Sequence, residues 1–177
     1  IGITNKRGKN NSPNADFEDP GNPWAIGFDQ GGHKSVNPQL GTLDDFKYLV
    51  SKASELGIDV AVELAFHCSL DHPYLKDHPE WFKLEQDEIQ KSGSDIVNFN
   101  FDIANRKPLW NELKSIVEFW IDNGVKIFRV DAPYLKPFVF WEWLIREIKF
   151  CYPDVIFLAE AFARQSKINY LSKVGFT

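Results

Sequence analysis

The feature that most constrains this chain is an alternation. Amphipathic stretches at helical spacing are separated by short apolar runs, and two of those runs stop abruptly on an acid. Leu43, Phe46, Leu49, Val50, Ala53 and Leu56 recur with helical period. Thr42 stands where an N-cap is favoured and Gly57 where a C-cap is favoured. Ile58 to Phe66 follows as an apolar run containing Glu63, the pattern of a strand buried on both faces. Pro108 suits a helix start, and Leu109, Leu113, Ile116, Val117, Trp120 and Ile121 carry that helix to Asn123-Gly124. Val125 to Val130 reads as a second buried strand, ending at Asp131. Phe138, Trp141, Leu144, Ile145 and Ile148 predict a helix over 137–150, broken by Pro153. Val155 to Ala159 is a third strand, ending at Glu160, and a last helix starts near Ser166. Alternation of this kind argues parallel βα units. A complete eight-stranded (β/α) barrel takes ~250 residues. A chain of 177 residues with three such strands is therefore a segment of a barrel, or a smaller α/β sheet.

The whole chain, 1–177, reads as one domain, loop-rich over 1–41 and built of βα units over 42–177. Pro20-Gly21-Asn22-Pro23 and Gly31-Gly32 mark turns in the first part. Long loops are functional or disordered, and Phe17, Trp24 and Phe28 favour an ordered one. His67 to Pro79 is a second loop, Glu80 to Gln90 fits neither period, and Lys91 to Ser94 reads as a turn. Composition supports a packed core, with 44% apolar and 15% aromatic residues. The net charge is −5, and basic residues gather only at Lys6, Arg7 and Lys9, which argues against a nucleic-acid binder. No run reaches the ~20 apolar residues of a membrane helix, and no signal peptide is evident. A cytoplasmic location is expected. A chain that begins at Ile1 and has no Met is expected to be a piece of a longer protein. Cys68 and Cys151 lack metal spacing and sit among apolar neighbours, as small core residues do. The four histidines lack ligand spacing, so neither a metal nor a cofactor is implied.

The chemistry gathers at the strand ends. Asp131 and Glu160 are each the first polar group after a buried strand. In parallel α/β folds, ligands bind outside the carboxyl ends of strands. Adjacent strands lie ~5 Å apart, which matches the ~5–5.5 Å between the two carboxylates of a retaining glycosidase. Arg129, two residues before Asp131, shares its face of the strand. A guanidinium there would keep Asp131 ionised as a nucleophile, while an acid at Glu160 must hold its proton and so needs a raised pKa. The plainer alternative is an Arg–Asp structural ion pair, with acids that merely follow strands.

Phe128-Arg129-Val130-Asp131-Ala132 resembles the nucleophile motif of the α-amylase superfamily, and Phe157-Leu158-Ala159-Glu160 resembles its acid/base motif. Gly41-Thr42-Leu43-Asp44-Asp45-Phe46 through Gly57-Ile58-Asp59-Val60 is similar to the helix and strand before its first block. Within that superfamily the chain is most like the α-1,4-glucan:maltose-1-phosphate maltosyltransferase branch. That resemblance includes Pro23-Trp24-Ala25-Ile26-Gly27, Gly31-Gly32-His33, His78-Pro79-Glu80-Trp81-Phe82 and Pro153 through Phe162. The resemblance implies a (β/α)8 barrel, a retaining mechanism and an α-glucan or maltosyl donor as partner. Asp131 would be the nucleophile and Glu160 the general acid/base.

The resemblance also implies lesser roles. Arg129 would bind in the site, and His67 would line a sugar subsite or serve structure. Tyr134 and Lys136 follow Asp131 closely and either reach an acceptor subsite or do not. Lys91 is the one remnant of a loop that holds sugar phosphate in the branch. His33 and Asp71-His72 either order loops or contact sugar, Trp24 either stacks on sugar or anchors the loop, and Trp141 with Trp143 is core. Two departures stand out: the branch has Asn where this chain has Ala132, and the superfamily's first block reads here as Glu63…His67-Cys68. The donor is left open between maltose 1-phosphate and a polysaccharide. A hydrolase and a silent glucan-binding homologue are the alternatives. The superfamily's third carboxylate lies on a later strand, so the segment alone is expected to be inactive, and its exposed sheet edges would favour self-association.

Overall fold

The structure is a computed structural model that describes residues 6, 8–19, 21–29, 31–85, 88–89 and 95–177. The helices are α1 (Leu43–Glu55), α2 (Tyr74–Asp77), α3 (Lys107–Asp122), α4 (Phe138–Cys151) and α5 (Gln165–Leu171). The strands are β1 (Ala61–Leu64), β2 (His67–Cys68), β3 (Leu84–Glu85), β4 (Glu88–Ile89), β5 (Val97–Asn98), β6 (Ile127–Val130) and β7 (Ile156–Ala159). The chain divides into two compact units, one of residues 1–42 with 66–104 and one of 43–65 with 105–177.

The second unit holds the βα units. Its sheet is parallel, in the order β1-β6-β7. The alternation of helix and strand leaves this arrangement as the natural one, because parallel neighbours need a crossover and the helices supply it. Two of the helix stops follow from glycine. Gly57 has φ +73, and the Ile58 and Gly57 amides return to the Ala53 and Ser54 carbonyls at 2.9 and 3.0 Å. Gly124 has φ +94, and the Val125 and Gly124 amides return to Trp120 and Ile121 at 3.0 and 2.9 Å. Both are the left-handed closure that satisfies the last carbonyls of a helix.

One face of the sheet carries Leu64, Phe128, Val130 and Phe157, all buried, with Phe128 stacked on Phe157 at 5.6 Å. Leu109, Leu113, Ile116 and Val117 of α3 and Phe140, Trp141, Leu144, Ile145 and Ile148 of α4 complete this core. The opposite face differs from the expectation of strands buried on both sides. Ala61 and Glu63 are exposed, and so are Ile156 and Leu158. Three strands do not close on themselves, so the face that would line a barrel interior stays open. The strands are also shorter than the apolar runs, since Ile58 is 58% exposed and lies outside the ladder.

Cys68 is buried, but Cys151 is exposed at the end of α4. Apolar neighbours in sequence misplaced Cys151, because on a helix the neighbours that count lie three and four residues away. Trp141 is fully buried, whereas Trp143 is half-buried beside Trp110.

The first unit is loop-rich, with a core of Ala25, Phe28, Phe66, Cys68, Trp81, Phe82, Val97 and Phe99. Its sheets are two short antiparallel pairs, β2–β5 and β3–β4. The ambiguous stretch after Pro79 is a single 3-10 turn, Pro79–Trp81, followed by that second pair. The turn expected at Lys91 to Ser94 lies outside the described residues. Of the loop aromatics, Phe28 is buried, Trp24 is 43% exposed and Phe17 is 81% exposed. Among the described residues, no helix is long and apolar enough to cross a membrane.

Candidate active site

The parallel ladder delivers the two acids. The Asp131 amide donates to the Leu64 carbonyl at 3.0 Å, and the Glu160 amide donates to the Val130 carbonyl at 3.0 Å. Each acid is thus held by its neighbouring strand one step beyond the strand's end. Val130 pairs with Ala159, which sets Asp131 beside Glu160. In the same register Glu63, Arg129 and Leu158 stand side by side, on the open face of the sheet.

Carboxylate oxygens of Glu63, Asp131 and Glu160 all lie within 4.8 Å of one another. That is the close spacing of a retaining pair, well short of the ~6.5–9.5 Å that an inverting pair needs for its water. The Arg129 guanidinium joins this cluster, with Nη1 at 2.5 Å from Glu63 and Nη2 at 2.6 Å from Glu160. The hydrogen bond to Glu63, then that to Glu160, raises its already high pKa further. Sequence reasoning placed Arg129 against Asp131, whereas these two terminal nitrogens serve the acids on the neighbouring strands. Glu63 received no role in the sequence reading. Its signal was present: a lone acid in an apolar run, at the position where the first block departs from the superfamily's pattern.

Asp131 has a raised pKa. Burial is the largest cause, a side-chain hydrogen bond with Glu160 is the next, and the charge of Lys136 opposes them. Lys136 is half-buried, and burial lowers its pKa to about 8 against the pull of Asp131.

Ala132 adopts a left-handed conformation, φ 39 and ψ 54, and starts a 3-10 turn over Pro133–Leu135. Trp141 Nε1 donates to the Pro133 carbonyl at 2.9 Å. Lys167 Nζ donates to the Tyr134 carbonyl at 3.2 Å and lies 5.6 Å from the Tyr134 ring centroid. The turn that carries Tyr134 and Lys136 is therefore pinned by α4 and α5. His67 belongs to the other unit, where it is buried in β2 opposite Asn98. Lys91 lies outside the described residues.

Two clusters have the residue types that hold metals. Across the acids, Arg129 already supplies a cation to two of the three carboxylates. The second cluster is His33, Cys68 and His72, all buried, with ligand atoms within 4.8 Å of one another. His72 Nδ1 accepts from the Tyr74 amide at 3.1 Å. The proton of a neutral His72 then sits on Nε2, 3.0 Å from His33 Nδ1, and bonds the two rings. An imidazole committed at both nitrogens has no lone pair left for an ion.

Known proteins share the fold that carries these acids. The chain is 31% identical to an α-amylase from Lactobacillus plantarum, with a TM-score of 0.72 over 89% of this chain and 36% of that one. The chain belongs to the α-amylase superfamily. A maltogenic α-amylase from Thermotoga neapolitana shares the fold, with a TM-score of 0.74 at 24% identity, over 88% of this chain and 35% of that one. The fold is a segment of that family's (β/α)8 barrel. Among curated proteins, the α-1,4-glucan:maltose-1-phosphate maltosyltransferase of Picrophilus torridus is 54% identical over all of this chain and 29% of its own length. The protein of that name from Myxococcus xanthus is 50% identical over all of this chain and 28% of its own. The chain thus spans under a third of the curated relatives it matches. No protein-family model matches it.

Proposed function

We propose that this segment supplies the nucleophile and the general acid/base of a retaining α-glucan-active enzyme that transfers maltosyl units from maltose 1-phosphate to an α-1,4-glucan. The observation that carries the reading is the placement of Asp131 and Glu160 on adjacent strand ends with oxygens within 4.8 Å. The identity of 54% to a maltosyltransferase supports the choice of donor.

In this reading Asp131 attacks the anomeric carbon, and Glu160 protonates the departing phosphate oxygen. A glycosyl ester on Asp131 results. Glu160, now a carboxylate, takes the proton of the acceptor hydroxyl as that oxygen displaces Asp131 with a second inversion. Arg129 orients Glu160, Tyr134 faces the acceptor side from its pinned turn, and His67 and Lys91 keep the sugar- and phosphate-binding roles that the resemblance implies. The partners are the glucan and the maltosyl donor, with no nucleic acid or membrane, and the location is cytoplasmic. The activity belongs to the full-length protein.

One assay decides the donor. Full-length protein is incubated with maltose 1-phosphate and a glucan, and phosphate release is measured. Release with chain elongation supports the reading. Starch hydrolysis without release sinks it and favours an α-amylase-like hydrolase, the reading that the 31% identity to an α-amylase supports. Asp131→Ala should abolish turnover and spare folding in either case.

A further inference from the structure

Asp131 has two flanks, and the ladder holds one of them. On its amino side, the amide donates to the Leu64 carbonyl of β1 at 3.0 Å. On its carboxyl side, the chain passes through Ala132 into the 3-10 turn Pro133–Leu135. That turn keeps its own shape, because the Leu135 amide closes on the Ala132 carbonyl and the Lys136 amide on the Pro133 carbonyl, each at 3.1 Å. These bonds fix the turn internally but not its angle to β6. That angle is set at Ala132, whose dihedrals are the joint between strand and turn.

The joint is held in an unfavourable state. Ala132 has φ 39 and ψ 54, where the Cβ of an L-residue crowds its own backbone. It also precedes Pro133, and a residue before proline favours extended backbone. Released, Ala132 would swing toward φ of about −120°, and the turn would swing with it. Conformations of this kind persist where the surroundings impose them. A side chain of α4 does so here. Trp141 Nε1 donates to the Pro133 carbonyl at 2.9 Å, in a buried bond that reaches back eight residues. The indole is fully buried and packs edge-on against Phe176 at 5.4 Å, so it cannot turn away. Lys167 of α5 adds a bond to the next carbonyl, that of Tyr134, at 3.2 Å, but that bond is exposed and water competes for it.

We propose that Trp141 is a positioning residue for the nucleophile: its buried indole N–H holds the turn after Asp131, keeps Ala132 left-handed and so aims the Asp131 carboxylate. The proposal rests on the assignment of Asp131 above, and it gives Trp141 a part beyond the core role that its place in the apolar period assigns. The aim of the nucleophile matters in the attack and not in holding the rest of the substrate. Its loss therefore lowers kcat and leaves KM in place.

The test uses full-length protein and compares wild type with Trp141→Phe, with 3-benzothienylalanine incorporated at position 141, and with Trp141→Phe combined with Ala132→Gly. Activity is read per folded molecule, well below the melting temperature. Trp141→Phe should lower kcat about tenfold to a hundredfold, with donor KM changed by less than about twofold. The benzothienyl side chain exchanges the indole N–H for sulfur at nearly constant size. It deletes the bond without opening a cavity, should show the same loss, and decides the matter if Trp141→Phe does not fold. Glycine takes the left-handed conformation without the Cβ penalty. Adding Ala132→Gly to Trp141→Phe should therefore raise kcat at least about threefold over Trp141→Phe alone. An unchanged kcat with the benzothienyl side chain overturns the proposal. So does a loss in Trp141→Phe that Ala132→Gly does not relieve, which would make it the effect of a cavity in the core. Rates can be read on phosphate release or on starch hydrolysis, so the result does not depend on the donor. Turnover by Asp131→Ala would instead refute the assignment of the nucleophile.

Discussion

Glu63 and Arg129 stand in register across β1 and β6 and are joined at 2.5 Å. The other end of the same guanidinium holds Glu160 at 2.6 Å, so a side chain on β1 helps to aim the acid/base on β7. Glu63→Gln should therefore act on catalysis rather than on folding. The ion pair is partly exposed, with Arg129 at 42%, and such pairs contribute little to stability. A displaced acid/base is costly, because misplacement by ~1 Å can lower a rate ~100-fold. Glu63→Gln in the full-length protein should lower kcat about tenfold to a hundredfold, with donor KM and melting temperature nearly unchanged. An unchanged kcat would reduce Glu63 to a bystander.

Ala132 makes a second prediction. A left-handed conformation costs an L-residue ~1–2 kcal/mol, and Ala132 holds φ 39 immediately after the nucleophile. Asn tolerates this region better than other non-glycine residues. Ala132→Asn should stabilise the protein by ~0.5–1 kcal/mol, while the β-branched Ala132→Val should destabilise it by ~1–2 kcal/mol. The urea midpoint of each variant gives the answer. If Ala132→Asn melts earlier than wild type, strain at this residue is not what limits the turn.

Much of this unit was legible in sequence because its signals are local. Gly57 and Gly124 stop α1 and α3 where the apolar period ends, and both take the left-handed conformation that only glycine adopts cheaply. Asp131 and Glu160 interrupt apolar runs at the last ladder step, so the strand ends could be located from the runs alone. The partner of Glu63 could not be found that way. It depends on the parallel register between β1 and β6, set by packing over a separation of 66 residues. The open face of the sheet was likewise hidden, because an apolar run looks the same whether one or both of its faces find cover. The loop unit gave least. Its pairs are two residues long, too short for any period to show, and its buried polar groups are joined across long separations, as in the 39 residues between His33 and His72.

That histidine pair carries the last prediction. His72 is 2% exposed, accepts from the Tyr74 amide and bonds the His33 ring. Gly27 and Gly32 crowd it so closely that a Cβ on either would fall 2.3 or 2.6 Å from the ring. Burial first, and the charge of His33 second, push its pKa down to about 3. Folded His72 therefore stays neutral where the unfolded residue, with its ordinary value of ~6.5, takes up a proton. The stabilisation is complete above pH ~6.5 and is lost as pH falls toward 3, at about 1.4 kcal/mol per unit. Between pH 6.5 and 5 ordinary carboxylates stay ionised, so this window isolates histidine. Amide hydrogen exchange in residues 25–35 and 66–82 of the full-length protein should accelerate about tenfold per unit of acidification, after correction for intrinsic rates. His72→Gln can still accept and donate but does not titrate, and it should flatten that dependence. Gly27→Ala should open the same region even at neutral pH. Protection that stays level in wild type from pH 6.5 to 5 would mean that His72 protonates in place and is not the fastening of this unit.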